Sequence, residues 1–297
     1  MPARSKSQQR LFGMVHAVRK GELDRDEVPD KVLDIADSDI KDKSVKAFAK
    51  TKHKSLRERV RESLLDIDDN DQACVYRWIE EEIRAWIDRV YDVSKYDIDI
   101  KNHTVSSSQL LGAIRGKDTS IDRLMPEGWS WGAIKSDFYC GFCKNLKTLE
   151  GAPEKAPGNF ECNDCSSLKT LEGAPEVVGK GFYCHNCASL ASLEGAPREV
   201  RGNFSCRWCQ KLQSLEGSPK KVGGNFECNA CSSLKTLEGS PRRVGGYFDC
   251  TQCDSLISFK GSPEEVGGNF YCEECKKIKN LDSLSSKIGG KIFEHLR

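Results

Sequence analysis

Fourteen of the fifteen cysteines form seven Cys-x-x-Cys pairs, with eighteen residues between one pair and the next. This spacing is typical of zinc sites, in which four thiolates surround the metal, and it also permits disulfide or redox chemistry. Stacked strands place equivalent residues ~4.8 Å apart, so neighbouring pairs can in principle share a metal. An odd number of pairs, however, leaves one pair over. The paired cysteines are Cys140, Cys143, Cys162, Cys165, Cys184, Cys187, Cys206, Cys209, Cys228, Cys231, Cys250, Cys253, Cys272 and Cys275.

Buried structural thiols are the interpretation that the sequence favours for these cysteines, with zinc as the first alternative and disulfide or redox work as the second. A buried thiol packs as a small hydrophobic group. A catalytic cysteine would stand out from the others beside a base, and His185 is the only histidine within the repeats. We therefore predict that the chain is not an enzyme, binds no cofactor and has no favoured metal site.

The cysteines belong to a 22-residue unit that occurs seven times in succession. With its phenylalanine as place 1, the unit has Cys at places 3 and 6, mostly Leu at places 9 and 12, mostly Gly at place 14 and mostly Val at place 19. A fixed period of this length predicts a solenoid, in which each coil buries its apolar face against its neighbours. Coils 1 to 7 begin at Phe138, Phe160, Phe182, Phe204, Phe226, Phe248 and Phe270.

The repeat resembles the leucine-rich repeats, in particular a bacterial variant with Cys-x-x-Leu-x-x-Leu after a phenylalanine. Residues 182–195 carry the likeness, because they run Phe-Tyr-Cys-His-Asn-Cys-Ala-Ser-Leu-Ala-Ser-Leu-Glu-Gly. The resemblance implies that the place-6 cysteines form a corner ladder that satisfies backbone groups along the stack. The place-3 cysteine departs from the leucine that is usual in that family.

The first sixty residues resemble a small protein family of unknown function that is common in tailed phages. The blocks that carry this likeness are residues 5–14, Ser-Lys-Ser-Gln-Gln-Arg-Leu-Phe-Gly-Met, and residues 48–56, Phe-Ala-Lys-Thr-Lys-His-Lys-Ser-Leu. After them, Asp69 to Val93 has the apolar spacing of an amphipathic helix, and a small helix is predicted from about Ser106 to Gly116.

The predicted fold class is α+β, a helical N-terminal module followed by a leucine-rich-repeat-like, β-rich solenoid of seven coils. The expected division is a small phage-type module over 1–66, an amphipathic helix and connector over 67–116, and an N-terminal solenoid cap over 117–137 that includes Trp129 and Trp131. The coils then occupy 138–291, and a C-terminal cap occupies 292–297.

Charge gives only weak information about partners. The formal net charge is +1, but nine Lys and Arg against two acidic residues lie between Lys41 and Arg61, and twelve acidic residues against four basic ones lie between Glu62 and Asp99. The basic run is either paired with the acidic segment or able to contact nucleic acid. No signal peptide or membrane span is evident in the sequence, which predicts synthesis in the host cytoplasm.

Specificity in repeat proteins is carried by outward places that vary from coil to coil. Here these are places 2, 4 and 5, and Trp208 beside Arg207 is the pair most like an interface anchor. The predicted partner is another protein, from the virion or the host, which the repeats bind while the N-terminus docks. A zinc-binding module that acts on nucleic acid or host factors is the alternative, and the oligomeric state stays open. The candidate binding residues are Phe142, Tyr183, His185, Arg207, Trp208 and Tyr271.

Overall fold

The computed structural model describes residues 14–20, 36, 69–93, 95–107, 114–116, 118–284 and 287–294, with the backbone alone for 69–75, 77–78 and 114–115. The chain divides into two compact units, Met1–Ala85 with Ile100–His103, and Trp86–Asp99 with Thr104–Arg297. Most of the predicted helical module lies outside the described residues, although 14–19 are helical and Val15 and Val18 are buried there. Among the described residues, no helix has the length and hydropathy needed to span a membrane.

A ten-stranded sheet forms one side of the solenoid. Its strands are very short, and from the second strand onward they pair in parallel, one per coil, with each phenylalanine in register with the next. In spatial order they are β1 (Tyr91–Asp92), β4 (Ile114–Gly116), β6 (Phe138–Tyr139), β8 (Phe160–Glu161), β10 (Phe182–Tyr183), β12 (Phe204–Ser205), β14 (Phe226–Glu227), β16 (Phe248–Asp249), β18 (Phe270–Tyr271) and β20 (Ile292–Phe293).

A second, seven-stranded parallel sheet forms another side, at places 18 and 19 of the coils. Its strands are β7 (Lys155–Ala156), β9 (Val177–Val178), β11 (Glu199–Val200), β13 (Lys221–Val222), β15 (Arg243–Val244), β17 (Glu265–Val266) and β19 (Lys287–Ile288). A small three-stranded sheet precedes the coils and comprises β2 (Asp97–Asp99), β3 (Thr104–Ser106) and β5 (Ser130–Trp131). The predicted repeat solenoid is thus confirmed, with a 22-residue spacing between strands of one sheet.

The core consists of columns of identical side chains. The place-1 phenylalanines are fully buried, and neighbouring rings stack with centroids 5.2–5.5 Å apart and planes within 14° of parallel. Places 9, 12 and 19 bury Leu and Val beside them; in coil 4 these are Leu212, Leu215 and Val222. Because burial of each column depends on the coils on both sides, the coils stabilise one another.

The place-6 cysteines form the corner ladder that the sequence predicts. From coil 2 onward, each thiol donates to the backbone carbonyl of the place-3 cysteine in the preceding coil, at 3.2–3.4 Å between sulfur and oxygen. These bonds satisfy backbone carbonyls that directly follow the strands of the ten-stranded sheet. They run from Cys165 to Cys140, Cys187 to Cys162, Cys209 to Cys184, Cys231 to Cys206, Cys253 to Cys228 and Cys275 to Cys250.

A second ladder at place 22 was not predicted. The side-chain oxygen of an Asn accepts the backbone N–H of the equivalent residue in the next coil, as between Asn203 and Asn225 at 2.9 Å. Asp137 begins this ladder by accepting from Asn159 at 2.7 Å.

The place-14 glycines are required by the backbone and by close packing: Gly217 has φ +87°, and a Cβ there would lie 2.6 Å from the Leu193 carbonyl carbon.

The N-terminal end of the phenylalanine column is covered by two aromatic side chains. Trp131 and Tyr91 each lie 5.8 Å from the Phe138 ring and 5.1 Å from one another, between ring centroids. The Tyr91 hydroxyl donates to the Leu124 carbonyl at 2.6 Å. Trp131 lies in the predicted cap, whereas Tyr91 comes from the segment that we assigned to the helix.

The amphipathic helix is present and is labelled α1 (Asp69–Val90). Its buried stripe contains Ile79, Ile83, Ile87 and Val90, as the spacing predicts. It ends at Val90, three residues earlier than predicted, because Tyr91–Asp92 joins the ten-stranded sheet. Of the small helix predicted up to Gly116, residues 108–113 lie outside the described residues. Its predicted end is wrong, because Ile114–Gly116 forms β4, which pairs with the first coil.

Candidate functional site

The side chains at places 2, 4 and 5 form what we call the outer surface of the ten-stranded sheet. They alternate along the chain with the buried residues at places 1, 3 and 6. All six candidate binding residues belong to this surface. Their identities differ between coils, whereas the inner places repeat. The outer surface is therefore the part of the solenoid in which each coil has its own chemistry.

Place 5 has a left-handed backbone in every coil, although no glycine occurs there. Such a conformation is tolerated by Asn and Asp and is unfavourable for other residues with a Cβ. Neighbouring place-5 side chains in part bond to each other, as Gln252 does to Glu274 at 2.8 Å. The φ values are 63° at Phe142, 59° at Asp164, 57° at Asn186, 61° at Trp208, 57° at Ala230, 60° at Gln252 and 58° at Glu274.

Two large aromatic side chains occupy this unfavourable place and remain exposed. Phe142 in coil 1 is 62 % exposed, and Trp208 in coil 4 is 45 % exposed. The guanidinium carbon of Arg207 lies 5.2 Å from the centroid of the Trp208 ring, which is cation–π geometry. The structure therefore places the Arg207–Trp208 pair at the surface.

Four of the six candidates lie together and two lie apart. Tyr183 and His185 of coil 3 are adjacent to Arg207 and Trp208 of coil 4, because β10 and β12 pair with Tyr183 opposite Ser205. Phe142 is in coil 1. Tyr271 is in coil 7, where its ring stacks on Phe293 with centroids 4.9 Å apart and meets Tyr247 edge-on at 5.6 Å.

The cluster in coils 3 and 4 includes Ser205, a residue that the sequence analysis missed. Ser205 is 1 % exposed, and its hydroxyl has no hydrogen-bond partner in the described part of the chain. His185 Nδ1 and Arg207 Nε are also buried and unpartnered there. Burial lowers the pKa of His185, the nearby Arg207 lowers it further, and Asp164 and Glu227 act in the opposite direction. The sequence did carry one signal for Ser205, because place 2 holds Tyr, Glu or Asp in the other coils.

The paired cysteines are buried in the core, away from the outer surface. Burial raises the pKa of Cys162, Cys184 and Cys228 well above the usual value for a thiol, so these groups are protonated at neutral pH. Within the described ranges, no three or more His, Cys, Asp or Glu side chains are grouped so as to hold a metal ion. Cys74, the Lys41–Arg61 run, His295 and Leu296 lie outside the side chains that the structure describes.

Comparison of the chain with protein families, with curated proteins and with solved structures found no match.

Proposed function

We propose that the protein is a non-enzymatic, phage-encoded scaffold whose outer surface binds a partner protein while its N-terminal region docks. The observation that carries the binding part is the exposure of Trp208, beside Arg207, on a left-handed backbone. A left-handed conformation costs about 1–2 kcal/mol for a residue with a Cβ. An exposed aromatic ring recovers little of that cost within the folded chain. Trp and Arg are also the residues most enriched at the energetic centres of protein interfaces.

Two further features support binding over catalysis. The thiolate is the nucleophilic form of cysteine, and burial raises the pKa of Cys162, Cys184 and Cys228, which keeps these thiols protonated. The outer surface combines aromatic, cationic and acidic groups that change with each coil, as in repeat proteins that recognise other proteins. The resemblance to leucine-rich repeats fits the same protein-binding role. The place-6 thiol ladder is the feature of this solenoid that the resemblance implies.

The binding part can be tested with full-length bait proteins in extracts of infected host cells. Wild type, Phe142→Asn with Trp208→Asn, and Ile257→Asn are compared after cross-linking and quantitative mass spectrometry. Ile257 is the matched control, since it is 66 % exposed but lies at place 10, outside the outer surface. We expect a protein that wild type and the control retain and the double variant loses. Identical sets of retained proteins for all three baits would refute binding by this surface.

The phage origin and the docking role rest on the likeness of residues 5–14 and 48–56 to the tailed-phage family. One version places the protein in the virion, on capsid or tail proteins, and the other directs it to host proteins in the infected cell. Mass spectrometry of purified phage particles separates them. Presence of the chain in stoichiometric amount supports the first version, and its absence leaves the second.

A zinc-binding repeat module that acts on nucleic acid or host factors is the alternative, because the cysteine spacing fits a zinc site. The place-6 thiol protons are engaged with backbone carbonyls, as in Cys209 to Cys184, which favours the metal-free state. Elemental analysis of protein purified without chelator tests this. Zinc in near-stoichiometric amount, together with a melting temperature that falls on addition of chelator, would replace our proposal with the alternative.

A further inference from the structure

Three unpartnered polar atoms belong to the outer places of the adjacent coils 3 and 4. They are His185 Nδ1, Ser205 Oγ and Arg207 Nε, each buried and without a hydrogen bond to any described residue. His185 and Arg207 occupy place 4 of adjacent coils, and Ser205 lies two residues before Arg207. Coils 1 to 7 contain one other such side-chain atom among the described residues, in Ser262 of coil 6. The unpartnered groups are therefore concentrated at one point of the surface.

A buried polar group without a partner is unfavourable, and the same outer places of the other coils hold no such atom among the described residues. In coil 6, for example, Thr251 donates to Asp249 from both its hydroxyl and its backbone N–H, at 2.5 and 2.9 Å. Tyr247 donates to Glu227 at 2.5 Å. Coils 3 and 4 thus differ from the other coils, in which the buried polar groups of the outer surface are hydrogen-bonded. This difference points to a group from another molecule as the missing partner.

The chemistry of the three atoms specifies that group. Arg207 Nε–H and the Ser205 hydroxyl are donors, and His185 Nδ1 donates or accepts according to its tautomer. Arg207 makes no ion pair with the side chains that the structure describes, whereas Arg198 and Arg242 pair with Glu176 and Glu264 of adjacent coils at 3.2 and 2.6 Å. Two donors and a guanidinium match an oxyanion, and the planar fork of arginine fits a carboxylate in a bidentate arrangement.

The surroundings exclude a polyanion as the ligand. Across places 2, 4 and 5 of the seven coils, Arg207 is the single Lys or Arg, and six carboxylates accompany it. A nucleic acid or a polyphosphate would bring many negative charges against these carboxylates. A single carboxylate pairs with Arg207, and basic side chains on either side of it pair with the surrounding carboxylates of the outer surface. The six are Glu161, Asp164, Glu227, Asp249, Glu273 and Glu274.

We propose that the recess formed by His185, Ser205 and Arg207 binds a single carboxylate within a basic segment of the partner protein, beside the Trp208 ring. This inference rests on the proposed function. Ser205 is short where other coils carry Tyr, Glu or Asp, and it lies between Tyr183 and Glu227 along the column of place-2 residues. Its hydroxyl is covered in the free protein. Binding moves the covering side chains aside, and the carboxylate then accepts from Arg207 and Ser205.

The first arm of the test needs no partner and uses sodium acetate as the probe. NMR signals of the Arg207 Nε–H and the His185 ring are followed in the full-length protein, with sodium chloride at equal ionic strength as the control. We expect a saturable shift with acetate that is absent with chloride and absent in Arg207→Gln, whose folding is checked by its melting temperature. Equal responses to acetate and chloride would overturn the carboxylate site and leave the proposed function untouched.

The second arm identifies the protein segment. Twelve-residue peptides are selected from a random display library on the immobilised full-length protein and are then synthesised with each Glu or Asp replaced by Gln or Asn. We expect peptides rich in Lys or Arg with one essential carboxylate, whose replacement weakens binding to wild type about tenfold or more. The same replacement has less than a twofold effect on Arg207→Gln, and Arg207→Lys is intermediate because it retains the charge without the fork.

The outcomes of the second arm separate the two proposals. Peptides that need Trp208 but respond equally to the carboxylate replacement in wild type and Arg207→Gln overturn the carboxylate site and retain protein binding. If no selected peptide depends on Trp208 or on the recess, both the site and the proposed function fail.

Discussion

The two faces of the ten-stranded sheet follow opposite rules. On the inner face, places 1 and 3 are Phe and Cys in each of the seven coils and are at most 1 % exposed. On the outer face, place 2 alternates among Tyr, Glu, Ser and Asp, and place 4 differs in nearly every coil. The inner face buries its phenylalanine rings and thiols in columns along the stack. The outer face retains an exposed Trp208 and an unpartnered Ser205. The stability of the fold alone does not explain why these residues occupy the outer places.

Alkaline pH should produce the largest difference between the two faces. Burial raises the pKa of the Cys140, Cys162 and Cys184 thiols, so these groups keep their protons when folded, whereas thiols of the unfolded chain ionise near pH 8.5. Stability is therefore unaffected below that pH and falls as the pH rises above it, by up to about 1.4 kcal/mol per pH unit for each thiol. Over several thiols this exceeds the stability of an ordinary domain.

The measurement is the melting temperature in reducing buffer from pH 7 to 10. We expect a steep fall above pH 8.5, and Cys184→Val should show a slope smaller by the contribution of one thiol. Outer-surface variants such as Phe142→Asn should follow the wild-type slope. A melting temperature that is flat across this range would show that the thiols do not remain protonated in the fold.

Truncation of one ring in the phenylalanine column should have the next largest effect. Phe204 is fully buried and stacks on Phe182 and Phe226 at 5.5 and 5.2 Å between centroids. Phe204→Ala removes this packing and leaves a cavity, which should cost about 3–5 kcal/mol. Tyr183→Ala, the matched truncation on the outer face of the adjacent strand, should cost less than half as much. Urea denaturation of both variants gives the comparison, and equal losses would contradict the difference between the faces.

An exchange of residues at place 5 should shift stability by a smaller amount and in opposite directions. Phe142→Asn places a residue that tolerates the left-handed backbone where Phe now stands, and should stabilise the fold by up to about 1 kcal/mol. Asn186→Phe makes the reverse change in coil 3 and should destabilise it by a similar amount. Chemical denaturation measures both. Destabilisation by Phe142→Asn would show that the Phe142 ring contributes packing that outweighs its backbone cost.

The sequence determined the inner face almost completely, because its period depends on residue types that are strict in every coil. The phenylalanine column and the mostly leucine places follow from the repeated residue types, and the thiol ladder is what the resemblance to leucine-rich repeats implies. The left-handed turn at place 5 could not be predicted, since Phe142, Trp208 and Glu274 give no sign of it. Nor could Tyr91 be assigned to the end of the phenylalanine column, because that contact depends on where α1 ends.

The candidate site was predicted in part, for the same reason. Variable outward places identified His185, Arg207 and Trp208, because outward position follows from strand alternation. Ser205 escaped notice because a serine at a surface place is ordinary in sequence. Its importance appears only when the neighbouring strands bury its hydroxyl without providing an acceptor or donor.

The smallest expected effect is a pH dependence of binding at the recess. The pKa of free His185 is lowered, first by burial and then by Arg207, while Asp164 and Glu227 raise it. A bound carboxylate beside the imidazole offsets the charge of Arg207 and so raises this pKa. Binding then takes up a proton, and the affinity for a carboxylate-containing peptide should increase a few-fold as the pH falls from about 7.5 to 5.5. The dissociation constant measured by calorimetry at each pH tests this, with His185→Gln as the control that should lose the dependence. A wild-type affinity that is constant, or that weakens on acidification, would mean that the imidazole does not face the bound group.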